Sequence, residues 1–110
     1  MERIVTLAER KAAAIERKRQ GLVALRTTLA AYARGHGGRF LLFESAARGE
    51  LRVHSDVDIL IDFPRSQTDA AWVFAEDACR SCGLTPDIRP RRWCSDRFLE
   101  HVEPEIEVLA

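Results

Sequence analysis

The sequence predicts an α/β fold, a small sheet sandwiched between helices in the order α-β-α-β-α-β-α. Three observations carry this reading. An apolar stripe at helical spacing runs through the first 35 residues, with Ile15, Leu22 and Leu29 seven apart and Leu25 and Tyr32 beside them. Val57–Phe63 alternates, with Val57, Ile59, Ile61 and Phe63 on one face and Asp58, Leu60 and Asp62 on the other. Glycines and prolines cut the remainder into segments too short for anything but single helices and strands. With 110 residues, 46% hydrophobic and 31% charged, the chain has the balance of one ordered core. We expect a single domain over 1–110, made of a helical segment 1–35 and an α/β core 39–110.

Each element has its local reason. Gly21 interrupts the first helix, which leaves room for a bend or for two helices. Upstream of it the stripe thins to alanines and Ile15 among charges, so that half is expected to project or to pack on a partner. Gly35, Gly37 and Gly38 end the helix. Phe40–Phe43 is a continuous apolar run suited to a buried strand, and Ala46–Leu51 has room for little more than one helical turn. Pro64 ends the alternating strand. Thr68 or Asp69 can cap a helix reaching about Cys82, with Ala71, Phe74, Ala75, Ala78 and Cys82 facing inward. Pro86–Arg92 is a third strand candidate, and Ser95 can cap a last helix through Phe98, Leu99 and Val102. After Pro104, Glu105–Ala110 is open to a helical turn or a short strand.

Charge narrows the function. Seventeen basic and seventeen acidic side chains cancel, which excludes a polybasic nucleic-acid arm or an acidic tail as the main idea, and no direct DNA binding is expected. The zero is nonetheless asymmetric: residues 1–35 carry eight basic and three acidic groups, and residues 36–110 carry nine and fourteen. The longest uncharged stretch, Thr27–Ala33, is far too short to cross a bilayer, and Glu2 and Glu9 interrupt any secretory start. We expect a cytoplasmic protein with no membrane partner.

The chemistry concentrates in Phe40–Phe63, FLLFESAARGELRVHSDVDILIDF. Asp56 and Asp58 lie two apart on a strand, so their carboxylates project from one face and can share a hard cation such as Mg²⁺. Ser45 stands where an apolar strand gives way to a short helix, a junction offering unpaired N–H groups and a hydroxyl to an anion. Arg48 can turn toward the same anion, and Gly49 lets the chain leave the turn. The composite S-x-x-R-G-x5-S-D-x-D places a phosphate grip beside a metal grip.

That stretch, 24 of the 110 residues, resembles the signature of the minimal nucleotidyltransferases of the DNA polymerase beta superfamily, G-S-x-x-R-G followed by S-D-x-D. The length and element order also resemble the short MNT-type proteins, including the MntA-like antitoxins of HEPN/MNT toxin–antitoxin pairs. The resemblance implies a small mixed sheet flanked by helices with a long N-terminal helix. It implies that Asp56 and Asp58 bind two Mg²⁺ ions and that Ser45 and Arg48 hold the β- and γ-phosphates of ATP or another NTP. Asp87, after the middle helix, best matches the family's third carboxylate, which completes one metal site and helps deprotonate the attacking hydroxyl; as a residue after Pro86 it is equally open to a turn role. The implied reaction is in-line attack of a hydroxyl on the α-phosphate with loss of pyrophosphate, the acceptor being a side chain of a HEPN-type toxin.

One residue departs from the pattern. The family's glycine before the serine is Glu44, which brings bulk and negative charge to a phosphate site. The alternative is therefore a catalytically impaired module of the same fold that neutralises its partner by binding, with helix 1–35 as its docking surface. A homo-oligomer is also open.

Other candidates read more plainly. Cys79 and Cys82, with Cys94 and His101 downstream, have spacing that zinc could use. Their place late in an amphipathic helix and the lack of a second pair point instead to buried thiols. His54 reads as a loop residue and His36, among glycines, as exposed. Trp72 and Trp93 could stack a base, meet a partner or pack at an edge, and Arg89, Arg91 and Arg92 could bind phosphate or balance the acidic body.

Overall fold

A computed structural model describes residues 4–43 and 56–110. The chain begins with α1 (Leu7–His36), followed by β1 (Arg39–Phe43), β2 (Val57–Asp62), α2 (Thr68–Ser81), β3 (Pro86–Pro90), α3 (Asp96–Val102) and β4 (Glu107–Leu109). Short 3-10 turns at Arg65–Gln67, Arg91–Trp93 and Glu103–Glu105 join several of them. The four strands form one mixed sheet in the order β3-β2-β1-β4. β1 runs antiparallel to both β2 and β4, and β2 runs parallel to β3.

Strand alternation divides the sheet into two apolar faces. Phe40 and Leu42, Val57, Ile59 and Ile61, Ile88 and Leu109 pack with Leu22, Leu25, Leu29 and Ala33 of α1 and Ala71, Ala75, Ala78 and Cys79 of α2. The opposite face carries Leu41, Phe43 and Leu60 against Val102, with Phe98, Leu99 and Ile106 closing over them. Helices thus cover both faces, as the sandwich reading expects. Leu60, the one apolar residue on the acidic side of β2, is what α3 packs on.

α1 is one helix of 30 residues. Thr6 caps its N-terminus, accepting from the Glu9 N–H, and Gly37 ends it in the left-handed conformation at φ 69° with its N–H on the Ala33 carbonyl. Gly21 does not interrupt it. A Cβ there would lie 2.2 Å from the backbone carbonyl oxygen of Cys82, so glycine is the residue that lets α1 and the end of α2 touch. Arg26 bonds Glu107 of β4 at 3.0 Å and Arg39 bonds Asp62 across the β1/β2 pair at 2.7 Å.

Several boundaries differ from the sequence expectation, each for a local reason. Neither Thr68 nor Asp69 caps α2: the 3-10 turn Arg65–Gln67 runs straight into the helix, and the buried Thr68 hydroxyl donates to the Pro64 carbonyl and accepts from Arg92. Cys79 takes the inner position on α2, and Cys82 is only half-buried. The third strand stops at Pro90, because Arg91–Trp93 turns. Ser95 caps α3 as expected, accepting from the Phe98 N–H at 3.1 Å. The final segment is both things in turn, a 3-10 turn at Glu103–Glu105 and then β4. Ala46–Leu51 lies outside the described residues. Among the described residues no helix is long and apolar enough to cross a membrane.

Two outcomes follow from this packing. Gly21→Ala should lower stability by about 1–3 kcal/mol in urea unfolding, because overpacking against a carbonyl outweighs the gain of roughly 1 kcal/mol in helix propensity; Leu25→Ala, in the fully buried row, should cost about 2–5 kcal/mol. Burial pushes the Cys79 thiol up to about 12, its neighbour Cys82 adding to the effect. In a thiol titration at pH 8, Cys82 and Cys94 should react in the native protein and Cys79 only after unfolding; three equally fast thiols would contradict that core.

Candidate active site

The carboxylates are placed by sheet register. β2 and β3 run parallel with Asp58 opposite Asp87, so the two residues sit on adjacent strands about 4.8 Å apart along the hydrogen-bonding direction. Alternation points both to the face of Leu60, away from α1 and α2. Asp56 lies one residue before β2, exposed, and strand spacing assigns it to the same face. The pairing is anchored at that end by the Val57 N–H, which donates to the Thr85 carbonyl at 2.8 Å. All three carboxylates expected from the sequence therefore gather at the starts of two neighbouring strands.

On its other side Asp58 is the register partner of Phe43, the last described residue of β1. Glu44, Ser45 and Arg48, together with His54, fall in residues 44–55, outside the described residues. The chain leaves β1 next to Asp58 and returns at Asp56, so both ends of the motif segment are tied to the carboxylates.

Asp87 has a second neighbour. Arg89, two residues further along the same face of β3, approaches its carboxylate at 3.4 Å, with both side chains part-exposed. The sequence reading had Arg89 as a phosphate ligand or a charge balance; the structure brings it to Asp87 itself. Only the i, i+2 spacing on a strand could have signalled that pair.

The donor set has the right chemistry for Mg²⁺, since three carboxylates supply hard oxygen ligands at a solvent-accessible strand end. Among the described residues no three His, Cys, Asp or Glu side chains converge closely enough to enclose a cation as they stand, and Asp87 engages Arg89. In ligand type, Asp56, Asp58 and Asp87 suit a divalent ion.

The remaining candidates lie elsewhere. Cys79, Cys82 and Cys94 are free thiols, and none belongs to a metal-holding group among the described residues. Trp72 is half-buried, its Nε1 donating to Glu76 at 2.6 Å, and packs edge-on against the exposed Trp93 with centroids 5.5 Å apart. This pair follows the far ends of β2 and β3, away from the carboxylates. Arg92 reaches Thr68, and Arg91 lines an open groove of about 450 Å³ between α3 and β4. His36 is exposed, as expected, and stacks on Tyr32 with centroids 3.8 Å apart.

Comparison with known proteins bears on the family and the fold. No curated protein matches the chain. A solved structure described as a "putative minimal nucleotidyltransferase" matches with a TM-score of 0.66 at 29% identity, over 81% of this chain and 93% of that one. The family model for the nucleotidyltransferase domain matches residues 25–106, which take in β1 and β2, the carboxylates and α3. The chain belongs to the nucleotidyltransferase domain family.

Proposed function

We propose that this nucleotidyltransferase transfers an NMP, AMP from ATP, to a hydroxyl on a partner protein of the HEPN toxin type, in a Mg²⁺-dependent reaction, and so acts as an antitoxin. The observation that carries the reading is the register of Asp58 against Asp87 on one face of the parallel pair, with Asp56 two residues upstream. The partner and the antitoxin role come from the resemblance of the motif to MNT-type proteins.

In this mechanism Asp56 and Asp58 would hold the divalent ions, and Asp87 would complete one of the two sites. Bound Mg²⁺ supplies charge neutralisation at the attacking and leaving oxygens. Ser45 and Arg48 hold the β- and γ-phosphates, which fixes the α-phosphate for in-line attack. Asp87 takes the proton of the acceptor hydroxyl as its oxygen bonds to the α-phosphorus, and the bond to the β-phosphate oxygen breaks to release pyrophosphate. Arg89 holds Asp87 until the site is loaded, a positioning role.

Glu44 favours a second reading, a binding module of the same fold whose phosphate site is impaired. The two separate in one experiment with labelled ATP, Mg²⁺ and the protein encoded by the neighbouring gene. Transfer of label to the partner should fall by about 10²–10³-fold in Asp56→Asn and Asp58→Asn, the loss expected when several kcal/mol of charge stabilisation goes. Partner binding without transfer, with transfer gained in Glu44→Gly, selects the impaired module. Absence of nucleotide binding and of transfer in every variant overturns the enzymatic reading.

Arg89 gives a separate outcome. Because an exposed ion pair is worth at most about 1 kcal/mol, Arg89→Ala should tighten Mn²⁺ binding, read by calorimetry, about 2–5-fold, and Arg89→Lys much less. Unchanged affinity in Arg89→Ala would remove Arg89 from the site.

A further inference from the structure

The groove between α3 and β4 is a second concave surface, on the face of the sheet opposite α1. It is open, with a volume of about 450 Å³. Leu41 of β1 and its register partner Val108, which is 51% exposed, line it together with Leu99 of α3. Asp96, Glu100 and Glu103 stand beside them at i, i+4 and i+7 along α3 and the turn that continues it. That spacing presents three exposed carboxylates from one side of the helix. Arg39 and Arg91 also line the groove, but Arg39 is engaged by Asp62 at 2.7 Å. Among the described lining residues an acidic excess therefore lies next to apolar side chains. Such a groove suits an occupant that is apolar and basic at once.

The chain carries a segment of that chemistry. Ile4 (89% exposed), Val5 (44%) and Leu7 (68%) are the most closely spaced of the exposed large apolar residues. Arg10 and Lys11, three and four residues after Leu7, share its side of α1 and are exposed. All five precede residue 25, where the family match begins. They cannot fill the groove of their own chain. Arg39 follows the end of α1 by three residues, whereas Leu7 begins that helix, about 44 Å away along its axis.

We infer that residues 4–11 of one copy dock in the α3/β4 groove of a second copy. Ile4 and Leu7 pack on Leu41, Leu99 and Val108, and Arg10 and Lys11 meet Asp96, Glu100 and Glu103. A second copy is the occupant because both halves of the contact are present in one sequence and match in apolar character and in charge. The chain divides the same way overall, with eight basic and three acidic side chains in 1–35 and nine and fourteen in 36–110. The contact joins two different surfaces, so each copy has one of each to offer. A groove that admits only a few side chains buries less than the roughly 1,200 Å² of a standard interface, so the association is weak and concentration-dependent. The inference is independent of the transfer reaction.

The test is the mass of the full-length protein in solution, followed by light scattering or sedimentation against concentration. Wild type should gain mass with concentration at low salt, and lose it as added salt screens the contact. Arg10→Glu/Lys11→Glu and Glu100→Lys/Glu103→Lys should each weaken association by about 100-fold, because like charges then face each other. An equimolar mixture of the two variants should restore a dimer, since reversed charges complement across it. All four positions are exposed, so each variant should melt and bind nucleotide as wild type does. A wild type that stays monomeric, a loss in only one of the two variants, or a mixture that stays monomeric overturns the inference. So does a wild type that stays monomeric alone but binds the neighbouring gene's protein through Glu100 and Glu103, which assigns the groove to that protein.

Discussion

Parallel strands cannot be joined by a hairpin, so pairing β2 with β3 obliges the chain to cross over through α2, and that crossover shapes both the core and the site. α2 lays Ala71, Ala75, Ala78 and Cys79 on the sheet. Small residues there allow close approach, close enough that α1 needs Gly21 where it meets the last turn of α2. The same crossover returns the chain beside the start of β2, which is why Asp87 arrives opposite Asp58. Core and carboxylates are two consequences of one topological step.

The two faces of the sheet then take different work. The face under α1 and α2 supplies the larger core, with Glu107 at its β4 edge paired to Arg26 of α1. On the face under α3, Leu41, Phe43 and Leu60 are buried beneath Val102 and its neighbours, and Val108 stands exposed beside Leu41. Toward β3 this face carries the ion pair of Asp87 and Arg89, half-exposed. The charge asymmetry of the sequence follows a different boundary, that between the N-terminal helix and the rest of the chain. Six of the eight basic residues among the first 35 precede residue 25, where the family match begins.

Much of this was legible in the sequence because it depends on short-range periodicity. The alternation of Val57–Phe63 placed Asp58 and Leu60 on a common face, and D-x-D spacing put Asp56 there too. The Ser95 cap was readable because the hydroxyl sits just before an apolar helical pattern. What could not be read was pairing between distant segments. Nothing local says that Asp58 faces Asp87, that Arg26 reaches Glu107, or that Gly21 exists for Cys82. The cap expected at Thr68 failed for a similar reason, since the partner of its hydroxyl is set by the Pro64 turn and by Arg92 from beyond β3. Ser45 and Arg48 rest on the motif alone, as their segment lies outside the described residues.

In the proposed function Asp58 and Asp87 act as one site because the β2/β3 register holds them together. A double-mutant cycle on the binding of Mg²⁺ with a non-hydrolysable ATP analogue, measured by calorimetry for wild type, Asp58→Asn, Asp87→Asn and the double variant, addresses it directly. Strong coupling is expected, with the double variant binding little worse than either single one. Losses that simply add would mean that the two carboxylates act independently, and would contradict it.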